Sequence, residues 1–81
     1  MDEFVVYVLY SEKYNKHYIG YTSNLLERFK SHNFLGTKGY TTKYRPWVVI
    51  YTEFFQSNKE AIEREKYLKT GAGRDYINHY N

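Results

Sequence analysis

Residues 4–32 read FVVYVLYSEKYNKHYIGYTSNLLERFKSH, and the patterning changes twice along them. Phe4 to Tyr10 is continuously apolar, β-branched and aromatic, the pattern of a strand buried on both faces. Ser11 to Lys16 is a polar turn, and His17 to Tyr21 reads as a second, short strand. The connection is hairpin-sized, so the pair is expected to be antiparallel. From Asn24 the period becomes helical. Asn24 can cap, and Glu27 at the third helical position makes an Asn-x-x-Glu variant of the capping box. Leu25 and Phe29, four apart, supply the apolar stripe with support from Leu26.

Beyond this stretch, Asn33 to Arg45 is polar and contains Gly36, Gly39, Thr41 and Thr42. It reads as a long loop with mobile parts, and loops of that length inside compact domains are usually functional. Pro46 opens a third strand, Trp47 to Phe54 or Phe55. Ser57 to Glu60 (SNKE) is a capping box for a helix running to about Lys69, with Gly71 placed to stop it. A last helix is expected from about Arg74 to Tyr80. The order β-β-α-β-α-α predicts an α/β (α+β) fold: a small three-stranded, mainly antiparallel sheet covered by helices.

The chain has 81 residues, 12 Lys plus Arg, 9 Asp plus Glu and no Cys. That length fits one domain, residues 1–81, and a chain this short hides only roughly 60–65% of its unfolded surface. A Rossmann fold, a TIM barrel or an appended recognition module would not fit. Without Cys, disulfides and thiolate zinc sites are excluded. Charged residues at 26% and apolar residues at 42% argue against disorder. The start, Met1-Asp2-Glu3, is acidic, and the following apolar run is too short for a secretory signal. Nothing approaches the ~20 apolar residues needed to span a bilayer. A soluble, cytoplasmic protein without a membrane partner is expected.

The net charge of +3 is unevenly placed. Residues 13–45 carry Lys13, Lys16, Arg28, Lys30, Lys38, Lys43 and Arg45 against Glu27 alone. The same block holds His17, His32 and several tyrosines. Cations neutralise phosphates and aromatic faces stack on unpaired bases, so this block suits nucleic acid. A solvated basic loop is the plain alternative.

Three features resist a purely structural reading. At about 100° per residue, Glu65 falls at about 40° from Ala61, between Ile62 at about 100° and Leu68 at about 340°. A carboxylate on that core-facing stripe must be paired, protonated or bound to a metal; a partly buried salt bridge to Arg or Lys is the competing reading. Glu60, Glu63 and Arg64 fall to the outer sides of the helix. Arg28 and His32, four apart, project side by side and can border a groove, Arg gripping phosphate and His donating or shuttling a proton. An ordinary polar helix face would look the same. Tyr7 and Tyr18 lie in neighbouring strands, roughly opposite one another. Gly20, on the same face as Tyr18, leaves a hollow where a ligand backbone could approach.

VVYVLYS, YIGYTSNLLERFKSH and EAIEREKYLKTGAGR together resemble the GIY-YIG nuclease family over nearly the whole chain, and most resemble its small stand-alone members. Val5-Val6-Tyr7 stands where Gly-Ile-Tyr would, and Tyr18-Ile19-Gly20 is intact. The family includes the nuclease domains of the bacterial excision-repair incision enzyme, of a structure-specific junction nuclease and of phage homing endonucleases. The resemblance implies a metal-dependent endonuclease acting on phosphodiester bonds in DNA, with RNA as a second candidate and low sequence specificity unless a protein partner supplies it. It implies one divalent cation, Mg²⁺ or Mn²⁺, on Glu65, and Arg28 as phosphate clamp. Tyr7 would be the general base or a water-positioning phenol, with Tyr18 and His32 completing the hydrogen-bond set. Tyr40 resembles the position where members carry a His or Tyr near the nucleophile. Lys38 and Lys43 would contact phosphates beside it. Some members also have a late asparagine near the site, for which Asn78 and Asn81 are both candidates. The alternative is a non-catalytic nucleic-acid-binding module that keeps the fold.

Overall fold

The computed structural model describes residues 3–35 and 40–78. Its centre is β1 (Phe4–Ser11), which pairs antiparallel with β2 (Lys16–Thr22) on one side and β3 (Val48–Phe55) on the other. Val5 to Leu9 are buried without a break, because a middle strand with cover on both faces has no position left for a polar side chain. Between them stands a turn at residues 12–15, where Asn15 adopts φ 52° and its Oδ1 accepts a hydrogen bond from Tyr10 Oη at 3.0 Å. Asn tolerates that left-handed backbone because its amide bonds locally. Across β1 and β3, Val8 faces Tyr51 and Leu9 faces Val49, so Ile50 is an extra residue that bulges β3.

One face of the sheet presents Val6 and Val8 to Ala61, Leu68 and Ile77 of α3 (Asn58–Leu68) and α4 (Gly71–Asn78). The other presents Tyr7 and Leu9 to Trp47, with Leu25 and Phe29 of α1 (Leu25–Lys30) packed against them. Both N-caps form as expected: Asn24 Oδ1 accepts from the Glu27 N–H at 3.2 Å, and Ser57 Oγ from the Glu60 N–H at 3.1 Å. At Ser57 the box is closed by Glu60 Oε1 on the hydroxyl; at Asn24 the backbone N–H goes to Thr22 Oγ1 instead.

Two segments differ from the sequence expectation. The region from Asn33 is not simply a loop: a π-helical turn, Ser31–Leu35, continues α1, and a short helical turn, α2 (Tyr40–Lys43), follows. Gly71 does not stop α3, which ends at Leu68 with Lys69 as its cap. Thr70 Oγ1 caps the next helix by accepting from the Gly73 N–H at 3.2 Å, so α4 begins at Gly71 rather than near Arg74. Spacing alone could not tell a glycine that ends one helix from one that opens the next.

Candidate active site

Tyr7 points from the middle strand across β2. Its register partner is Gly20, and Tyr18 lies opposite Leu9, so the two tyrosines are diagonal neighbours rather than opposite. The hollow at Gly20 is filled by Tyr7 itself: a Cβ there would lie 2.7 Å from the Tyr7 hydroxyl. The phenol has no exposed surface and bonds His32 Nε2 at 2.9 Å. Tyr18 stacks obliquely beside them, its ring centroid 4.7 Å from His32 and 6.3 Å from Tyr7.

His32 reaches this position because the π-helical turn re-aims it. Four residues beyond Arg28 it would share that residue's solvent-side edge on a regular helix; here it is 6% exposed and turned into the core, while Arg28 stays exposed. A wider turn leaves carbonyls without their usual partners. Arg45 takes them, with Nε on His32 O at 2.6 Å and Nη2 on Ser31 O at 3.0 Å. Asn33, in the same turn, clasps the start of β3: Nδ2 donates to Trp47 O at 2.9 Å and Trp47 N–H donates to Asn33 Oδ1 at 2.6 Å. Neither Asn33 nor Arg45 stood out in the sequence, since both spend their side chains on backbone. Arg45, read with the basic block, is a fastener here.

The electrostatics follow from burial. Burial and the neighbouring Tyr18 push the Tyr7 phenol up to about 12, with Glu65 adding to the rise and the Arg28 guanidinium opposing it. Both Arg28 and Glu65 therefore act on this one phenol. His32 is held below its ordinary value by burial first, then by Arg28 and Arg45, so near pH 7 the ring is neutral and its Nε2 can accept the Tyr7 proton.

Glu65 lies half-buried, and Lys69 Nζ approaches its Oε1 at 3.4 Å. The long pair to an exposed lysine is the salt bridge weighed as the plain reading. Beside it runs a groove of about 760 Å³ lined by Lys16, His17, Tyr18, Lys69, Arg74 and Asn78. Of the two late asparagines, Asn78 borders this groove and Asn81 lies outside the described residues, as do Lys38 and the side chain of Tyr40. Lys43 lies over the ring of Tyr44. Arg64, expected to be an idle surface group, pairs with Glu53 at 2.7 Å, though not as an aligned hydrogen bond, and lies over Tyr67 and Tyr76.

Among the described residues no three His, Asp or Glu side chains converge on a metal position. Mg²⁺ does not require that: it keeps several waters and takes one or two carboxylates plus substrate phosphate. Glu65, paired only at 3.4 Å with an exposed lysine among the described residues, fits such a ligand.

A model of the GIY-YIG catalytic domain matches residues 3–81. The chain belongs to the GIY-YIG family. That family is one of nucleases, which generally use a divalent metal and act on nucleic acid. This GIY-YIG chain is 43% identical over 58 residues to a UPF0213 protein of Staphylococcus haemolyticus, covering 72% of this chain and 71% of the relative. It is 42% identical over 52 residues to one from Clostridium perfringens, covering 64% of this chain and 56% of that protein's length. The solution NMR structure of a UPF0213 protein from Bacillus halodurans superposes with a TM-score of 0.56 at 25% identity, over 93% of this chain and 81% of the other. Its agreement fixes the three-stranded antiparallel α+β architecture. Among the described residues no helix is long and apolar enough to cross a membrane.

Proposed function

We propose that this protein is a metal-dependent endonuclease that hydrolyses phosphodiester bonds in DNA with little sequence specificity. The observation that carries the reading is the Tyr7–His32 hydrogen bond at 2.9 Å, in a phenol on which Arg28 and Glu65 both act. The β1 phenol thus bonds the π-helical extension and feels charge from α1 and α3.

Tyr7 is a poor base by itself, because a phenol at about 12 is almost wholly protonated near neutrality. It serves better as a relay. The hydroxyl takes a proton from the attacking water and hands its own to neutral His32 Nε2, while the water oxygen attacks phosphorus and the leaving oxygen is protonated from solvent. The phenol is covered in the free protein, so substrate must part that cover before water reaches it. Arg28, exposed beside the phenol, neutralises the phosphate. Tyr18 orients the ring of His32. Glu65 would hold the divalent cation, which supplies charge stabilisation at the leaving and non-bridging oxygens.

A second reading, a binding module without catalysis, draws support from Val5-Val6-Tyr7 in place of Gly-Ile-Tyr and from the Lys69 ion pair on Glu65. Glu65→Gln separates the two. Incubated with labelled single-stranded, nicked and branched DNA and Mg²⁺ or Mn²⁺, the wild type should cut and a chelator should stop it. Cleavage by the variant should fall at least ~100-fold, since the metal contributes several kcal/mol and ~1.4 kcal/mol is tenfold. Equal cleavage would remove Glu65 from the mechanism.

A further inference from the structure

At the tip of the β1–β2 hairpin, Tyr14 meets Tyr44 edge to face, with ring centroids 5.4 Å apart and planes at 68°. Three lysines surround the pair. Lys13 lies over the Tyr14 ring at 5.4 Å, and Lys16 and Lys43 lie over the Tyr44 ring at 5.5 and 5.6 Å. Among the described residues, the ion pairs are Arg64 with Glu53 and Lys69 with Glu65, so none of these three lysines is ion-paired with a carboxylate there. Folding gives little reason for the arrangement. An exposed cation–π contact is worth about 0.5–1 kcal/mol, and gathering like charges around two rings works against it.

A polyanion carrying flat aromatic groups resolves both halves of this pattern. Tyr14 is 42% exposed and has a ring to offer; the lysines flank it. In a duplex the base faces are hidden in the stack, so only an unpaired strand can present them. The position is also apt. Lys16 belongs both to the aromatic pair and to the groove lined by Tyr18, Lys69 and Arg74. Tyr44 packs on the apolar cluster that contains Tyr7. The patch and the candidate active site are therefore contiguous.

We propose that Tyr14 and Tyr44 form a stacking platform for an unpaired base, with Lys13, Lys16 and Lys43 holding the adjacent phosphates, so that the ligand is a single polynucleotide strand. The proposal deepens the nuclease reading by naming its substrate class, and its test needs no cleavage. Fluorescence anisotropy in chelator would measure binding of labelled oligothymidylate, oligouridylate of equal length, and a blunt duplex. Tyr14→Ala should weaken single-strand binding by about tenfold or more and leave duplex binding within about twofold, because phosphate contacts alone hold the duplex. Tyr14→Trp should restore single-strand affinity. Lys13→Ala with Lys43→Ala should weaken all three ligands and flatten the single-strand log–log salt slope by about 1.4. The two oligonucleotides separate DNA from RNA as the strand's source. Unchanged single-strand binding by folded Tyr14→Ala, or an equal loss on duplex, would overturn the platform. Oligothymidylate binding that depends on Tyr14, together with no cleavage of that strand by the wild type in Mg²⁺ or Mn²⁺, would overturn the nuclease reading and leave the platform standing.

Discussion

Gly20 lacks a side chain where Tyr7 occupies the space one would fill. The Tyr7 ring cannot easily give way, since it is fully buried and bonded to His32. Gly20→Ala should therefore drive the phenol off His32 and destabilise the fold by ~1–3 kcal/mol, measured by denaturant melts. Any cleavage should fall more steeply than stability explains. His32 gives a pH dependence of known sign. Its folded value is lowered, so as pH drops below ~6.5 the unfolded chain takes up a proton first. The stability His32 contributes is complete above that pH and is lost as pH falls through the folded value. His32→Gln, which keeps an acceptor for Tyr7, should flatten this acid loss in melts between about pH 7.5 and 5. His17, also lowered by burial, provides the comparison. At this scale Glu65 was legible because it interrupts the apolar stripe of its helix, and Tyr7 and Tyr18 because their strands read as neighbours in a hairpin. Asn33 and Arg45 carried no such signal. Their partners are carbonyls and amides of Ser31, His32 and Trp47, and sequence spacing displays no such partner.

Two glycines two residues apart make opposite demands on α4. A Cβ at Gly73 would fall 2.2 Å from Tyr67 O and 2.4 Å from Leu68 Cα, into backbone, whereas one at Gly71 would meet nothing within 4 Å. Gly73→Ala should force α3 and α4 apart and cost at least ~3 kcal/mol. Gly71→Ala, in the first turn of α4, should stabilise by ~0.4–1 kcal/mol through the unfolded chain. Thermal melts of the two variants should move in opposite directions. The π-helical turn depends on its clasp in the same way: Asn33→Ala removes both side-chain hydrogen bonds to the Trp47 backbone, at a cost of ~1–3 kcal/mol. Elements were legible where a cap and an apolar period coincided, as at Asn24 and Ser57. The widening after Lys30 was not, because SHNFL, three polar residues followed by two apolar ones, is too short for its pattern to tell one helical pitch from the other.

For the molecule as a whole, metal and stability are linked. If Glu65 holds a cation only in the folded state, Mg²⁺ at ten times its Kd should add ~1.4 kcal/mol, or about 5–10 °C in melting temperature for a chain of this size. Glu65→Gln should abolish that shift. Lys69→Ala, which removes the competing ammonium, should bring it on at lower Mg²⁺. An equal shift in Glu65→Gln would place the ion elsewhere. The sheet order has a consequence during synthesis. The first strand made is the middle one, and Phe4 faces Phe55 while Val6 and Val8 are covered by Ala61, Leu68 and Ile77. As the ribosome delivers the chain, β1 and β2 can zip together early. One edge and one face of Phe4–Ser11 must then wait, bare and β-branched, for the carboxy-terminal half. Such a strand is a template for pairing between nascent chains. Asp2, Glu3 and Glu12, which bracket it, carry like charges at both ends and act as gatekeepers against that association.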